Sequence, residues 1–181
     1  RSRGLGDVYK RQAQPRGRAE PVEAEMPLGR YLASTEKRVR DRAIRSLAAF
    51  VLMRAQEGGL SMSPAELSKL WKGLFYCFWM SDKPLVQQQL AQELSELVLM
   101  VAGIDTRSDE AQVASLRHAL AALDFYQGFW HTMQAEWLGV DKFRIDKYYL
   151  LMRRFLQAGC QLLLVYGCDA LLVERYVHIL S

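Results

Sequence analysis

At 181 residues, with half of them apolar and 24% charged, the chain is long enough to bury one real core and too apolar for a disordered segment. Its longest apolar runs, Leu74 to Met80 and Leu162 to Gly167, fall far short of the roughly 20 residues that span a bilayer, and no apolar stretch follows the basic start as in a secretory signal. The net charge of +4 is concentrated at the start: four basic residues against Asp7 put +3 in residues 1–12 and leave +1 for everything else. A near-neutral body excludes a global electrostatic case for RNA, so any basic patch has to be local.

Residues 1–12, RSRGLGDVYKRQ, share no pattern with the rest of the chain and resemble translated adapter sequence. Residues 13–27 hold three prolines among Arg, Glu and Ala and read as a flexible lead-in. A single helical domain is expected over 28–181. Arg38 to Gln56 sets Val39, Ala43, Ile44, Leu47, Phe50 and Val51 on one helical face, and Gly58-Gly59 closes that helix. Ser63-Pro64-Ala65-Glu66 then combines a cap, a first-turn proline and a capping box. The helix it starts is apolar almost all round near its end, through Trp71, Leu74, Phe75, Phe78 and Trp79, which predicts a central position.

Ser81-Asp82-Lys83-Pro84 breaks the chain, because the residue before proline avoids the α region. Leu85 to Val101 is helical again, followed by a turn over 103–108 with Ser108 as the next cap. Val113 to Trp137 forms a long helix that Gly139 ends, and Asp141 is the expected cap of the next, running to about Tyr166. Gly167 stops that helix, Asp169 caps a last one, and the sequence ends inside it, which reads as a fragment of a longer array. With no period-two alternation, the fold class is all-α: an irregular HEAT-like α-solenoid of stacked hairpins, with six or seven helices of roughly 17–28 residues.

Residues that could carry chemistry are sparse. His118, His131 and His178 stand far apart, and no CxxC, HExxH, GxSxG or phosphate-cradling glycine motif occurs. No cofactor, metal or small-molecule substrate is expected, and the protein is read as a non-enzyme. Three cysteines make no disulfide framework and suit a reducing compartment, with Cys160 and Cys168 expected as core thiols among apolar neighbours. Arg38, Arg42 and Arg45 share one helical face at steps of four and three, and Arg153-Arg154 make a smaller pair. Asp141 and Arg144 have the spacing of a salt-bridged pair, beside Lys142 and Lys147. The aromatic residues, among them Phe143 and Tyr149, fall at helical spacing and are expected in the core.

Three blocks go beyond generic helices: RDRAIRSLAAF (40–50), LWKGLFYCFWMSDKPLV (70–86) and FWHTMQAEWLGVDKFRIDKYYLLMR (129–153). They resemble the N-terminal domain of the ribosomal RNA processing protein 1 family, in broken form over about residues 28–166. The segment from Ala102 to Asp124 departs from the family pattern and is longer, and the family's basic C-terminal extension is absent. The resemblance implies a nuclear, nucleolar assembly factor for the large ribosomal subunit, with pre-rRNA and other assembly factors as partners and no membrane. It makes Lys72, Lys83, Lys142, Arg144 and Lys147 surface contacts, added to Arg38, Arg42 and Arg45, and makes Trp71, Phe75, Trp79, Trp130, Trp137 and Tyr148 the structural core. Two rivals stay open: a protein–protein scaffold without RNA contact, and an α-helical enzyme with a titratable pair in a concave pocket.

Overall fold

Local capping signals set most of the helix boundaries in the computed structural model, which describes residues 28–56, 62–104 and 115–181. Seven α-helices lie among the described residues: α1 (Leu28–Leu32), α2 (Lys37–Gln56), α3 (Pro64–Trp79), α4 (Pro84–Val101), α5 (Leu116–Glu136), α6 (Ile145–Val165) and α7 (Ala170–Leu180), with no strand. The capping box of α3 forms as its residues demand: the Glu66 amide donates to Ser63 Oγ at 3.3 Å and the Ser63 amide donates back to Glu66 Oε2 at 2.8 Å. Pro84 occupies the first turn of α4, and Asp169 accepts the Leu171 and Leu172 amides to start α7. Gly58-Gly59, Ser108 and Val113 lie outside the described residues.

Two helices end in the same motif. At α4, Gly103 takes a positive φ of 71°, its amide reaches Met100 O and the Ile104 amide reaches Leu99 O. At α6, Gly167 (φ 64°) and Cys168 make the matching bonds to Leu164 O and Leu163 O. This is the Schellman arrangement, which needs a left-handed residue that glycine adopts without steric cost.

Each helix packs sideways mainly on the helix two further along the chain. The layer of α2, α4 and α6 lies against the layer of α1, α3, α5 and α7, the arrangement of an α-solenoid. Between the layers the core is aromatic. The Trp71 ring touches those of Phe125, Phe129 and Phe155 with centroids 4.7, 5.6 and 5.5 Å away, and its indole N–H donates to Phe125 O at 2.9 Å. Phe129 and Phe155 stack at 3.7 Å. Trp71, Phe75 and Tyr148 are buried, while Trp79, Trp130 and Trp137 are half-buried against the same cluster.

Several expectations are corrected. Helix α5 stops at Glu136 and Trp137–Gly139 is one 3-10 turn, so the long helix does not run through Trp137. Asp141 opens a tight turn before α6 rather than capping it, since its Oδ1 accepts the Phe143 amide at 2.9 Å and the helix begins four residues later. Cys160 and Cys168 are exposed. The inward face of α6 follows Tyr148, Leu151, Phe155, Ala158 and Leu162, which turns Cys160 outward, and Cys168 sits in the turn after Gly167. Phe143 and Tyr149 are exposed as well, because neither falls on that face. The helices other than α1 run from 11 to 21 residues, shorter than expected because the turns hold residues assigned to helices.

Candidate functional site

A helix leaves its last four carbonyls without intrahelical donors, and the end of α3 lies partly in the interior, where water cannot supply them. The Met80 and Ser81 amides satisfy Tyr76 O and Phe78 O locally, and side chains, several from distant parts of the chain, supply the carbonyls around and beyond them. Lys147 Nζ donates to Trp79 O at 2.7 Å and to Ser81 O at 2.8 Å. Arg40 donates to Met80 O at 3.2 Å while its other nitrogen holds Ser34 O and Thr35 O at 2.8 and 2.9 Å. Ser81 Oγ donates to Phe78 O at 2.6 Å, and the Tyr148 hydroxyl donates to Phe75 O at 3.0 Å. Two cations therefore sit at a helix C-terminus, where the macrodipole favours positive charge.

The sequence blocks 40–50, 70–86 and 129–153 thus form one interlocked edge. Arg144 completes it by lying over the Trp79 ring, 4.4 Å from its centroid, while pairing with Asp141. Partial desolvation opposes ionisation of Asp141, but its bonds to Arg144 and the Phe143 amide outweigh it and hold the carboxyl below its usual range. Glu136 adds a further tie, accepting from Tyr76 at 3.2 Å and from Lys72 at 3.0 Å. That contact raises the Lys72 pKa.

Lys147 is expected on the surface and is not there. Only 7% of it is exposed, with its ammonium enclosed by backbone and by the Phe78 ring at 5.8 Å. Burial, reinforced by the like charge of Arg144, pushes its pKa down to about 8. Its role is structural capping, and sequence spacing could not reveal this because its acceptors lie 66 and 68 residues away.

The other predicted contacts divide by place. Arg38, Arg42 and Arg45 are exposed on α2, as are Lys83 on the α3–α4 turn and Lys142 on the α5–α6 loop. The Arg40 bond to Met80 O brings the start of α2 to the same edge, so this edge carries the N-terminal ends of α2, α4 and α6 together with Lys83, Lys142 and Arg144. Unpaired amides at helix N-termini add to the field of those cations. Lys72 lies on the other layer, beside a groove of about 730 Å³ that also contains Asp124, His131, Glu136 and Arg175. There Lys72 pairs with Glu136, and Arg175 pairs with Asp124 at 3.1 Å.

Sequence reasoning missed Leu138 and Phe143, which are 97% and 84% exposed on the α5–α6 loop. The available signal was Gly139 with Asp141: a glycine and an Asx turn take their neighbours off any helical face. Among the described residues no helix is long and apolar enough to cross a membrane, and no group of three or more His, Cys, Asp or Glu could hold a metal ion.

Residues 23–181 match the family model described as nucleolar protein, Nop52. The chain is 37% identical over 156 residues to human ribosomal RNA processing protein 1 homolog A, covering 86% of this chain and 31% of that protein. It is 42% identical over 140 residues to mouse homolog B, covering 77% and 17%, and 32% identical over 136 residues to the Drosophila melanogaster homolog, covering 75% and 18%. It therefore spans a third or less of the length of these relatives. A model matched along nearly the whole chain, and relatives at this identity, establish that the chain belongs to the Nop52 family of nucleolar proteins.

Proposed function

We propose that the protein acts in ribosomal RNA processing and large-subunit ribosome biogenesis in the nucleolus, as a non-catalytic helical scaffold that binds pre-rRNA and other assembly factors. The observation that carries this reading is the interlocked edge. Arg40, Trp79, Arg144, Lys147 and Tyr148, which lie in the three blocks that resemble the family, are engaged in holding helix ends and ring stacks together. They stiffen one edge and leave Lys83, Lys142 and the Arg38–Arg42–Arg45 stripe turned to solvent. The names of the relatives, ribosomal RNA processing protein 1 homologs, support the process assigned.

Phosphate contact by the α2 stripe makes affinity for large-subunit pre-rRNA fall with salt, with a log–log slope of roughly −0.7 to −0.9 per contact. Filter binding of the chain to a pre-rRNA spacer transcript across a salt series tests this. Arg38→Glu/Arg42→Glu/Arg45→Glu is expected to weaken binding and flatten the slope by about 2 to 3. An affinity that ignores salt, or that survives the triple reversal, removes RNA contact through α2 and leaves a scaffold for proteins alone.

A further inference from the structure

Helix α2 holds six basic residues against Asp41 alone, a net +5. Three of the six are occupied. Lys37 pairs with Asp41 at 2.6 Å, Arg40 holds backbone carbonyls, and Arg54 lies 5.5 Å from the centre of the Phe50 ring. Arg38, Arg42 and Arg45 are exposed and form no hydrogen bond or ion pair among the described residues. Glu93 and Glu96 of α4 share a groove with Arg45, but Gln89 and Gln92 donate to them at 2.8 and 2.7 Å. With those two carboxylates and Glu36 counted against α2, the region still keeps +2.

The backbone that carries the three free arginines is held firmly. Ala43, Ile44, Leu47 and Val51 are buried along the opposite side of α2, and Arg40 ties its first turns to the carbonyls of Ser34, Thr35 and Met80. The three side chains therefore branch from fixed points spread over about 10 Å of helix axis, at 1.5 Å per residue.

What this face lacks bears on the form of RNA it takes. Proteins hold unpaired strands by stacking their bases on aromatic rings along a basic groove. The stripe runs along the outside of a single helix, its next position is Ala49, and Ser46 beside it is small. Phe50, the one aromatic residue of α2, is half-buried beside Arg54. A duplex asks only for cations. It carries about twice as many phosphates per length as one strand, in positions that base pairing has already ordered.

We infer that the Arg38–Arg42–Arg45 stripe grips the phosphate backbone of a base-paired stem in pre-rRNA and reads no bases. This rests on the proposed RNA-binding scaffold and names the form of RNA that its stripe takes.

The test is filter binding of the chain to a hairpin stem from the large-subunit spacer, to the same stem with every base pair inverted, and to an unpaired strand with as many phosphates. The two stems are expected to bind alike, each on the order of tenfold tighter than the unpaired strand. Arg38→Glu/Arg42→Glu/Arg45→Glu should keep its melting temperature, since all three side chains are exposed, and should weaken stem binding on the order of a hundredfold. Arg38→Lys/Arg42→Lys/Arg45→Lys keeps the charges and gives up the flat guanidinium on which a base could stack. Its salt slope and stem affinity should stay close to those of the unsubstituted chain. Tyr31→Ala removes the exposed ring of α1 and should leave both unchanged. An unpaired strand bound as tightly as the stem overturns the inference. So does a stem whose affinity collapses on inversion of its pairs, in the lysine triple or in Tyr31→Ala. A chain that binds none of the probes, or that binds them equally well after the glutamate reversal, defeats RNA contact through α2 itself and this inference with it.

Discussion

Gly128 is the place where the stiffness of the scaffold can be tested with one methyl group. A Cβ there would meet Trp71 Cδ1 at 2.5 Å and Nε1 at 2.7 Å, about an ångström inside ordinary contact. The indole cannot retreat cheaply, because Phe125, Phe129 and Phe155 surround it and its N–H is committed to Phe125 O. Overpacking a core costs typically 1–3 kcal/mol, and straining or losing the indole hydrogen bond costs about 1–3 kcal/mol more. Alanine regains up to about 1 kcal/mol of helix propensity. The net expectation for Gly128→Ala is a loss of roughly 2–4 kcal/mol, read as a melting temperature lower by about 5–15 °C. A double-mutant cycle with Trp71→Phe isolates the cause: the smaller ring, with no N–H to displace, should make Gly128→Ala cheaper by about 1–2 kcal/mol. If Gly128→Ala melts at or above the unsubstituted temperature, or if the cycle shows no coupling, the rigid Trp71 cluster is refuted.

The capped end of α3 predicts that Lys147→Ala, which leaves Trp79 O without its side-chain donor and Ser81 O with Gln87 Nε2 alone, lowers stability by about 1–3 kcal/mol in urea unfolding. The same residue gives a pH signature. Between its folded pKa of about 8 and its ordinary value of 10.5, the unfolded chain holds a proton that the folded chain has released. Stability from this group is therefore present above pH 10.5 and lost as pH falls through 8. Over that window the unfolding free energy of the unsubstituted chain should rise relative to that of Lys147→Ala, a difference in which the opposite trend from Cys77, whose buried thiol is pushed up to about 11, cancels. Cys168 holds a φ of 55° on an exposed turn, so Cys168→Gly should stabilise by about 0.5–1 kcal/mol, the relief of left-handed strain less the added freedom of the unfolded chain. A lower melting temperature for that variant would show that the turn carries no strain.

Helix boundaries marked by local chemistry are legible in the sequence: the Ser63–Glu66 box, the Pro84 break, and the Gly167 stop with its Asp169 cap depend only on residues within one turn of each other. The all-helical class emerges from periodicity for the same reason. The edge is legible only as a set of motifs. That Lys147, Arg40 and Tyr148 converge on the end of α3 depends on contacts across 40 to 73 residues, which no spacing rule encodes. Lys142 and Lys147 look alike in sequence, yet one lies in solvent and the other is enclosed. Aromatic character misleads at Phe143, because a tight turn rather than a helix sets its direction. Apolar neighbours mislead at Cys160, because residues adjacent in sequence lie around a helix, not on one side of it.

The most direct test of the account is co-sedimentation of the chain with large-subunit pre-ribosomal particles on a sucrose gradient. The account predicts that the chain travels with the particles. Arg38→Glu/Arg42→Glu/Arg45→Glu is expected to lower the particle-bound fraction while the chain stays folded. A chain that stays at the top of the gradient without substitution, or whose particle-bound fraction is unchanged by that reversal, contradicts a helical scaffold that binds through the exposed face of α2.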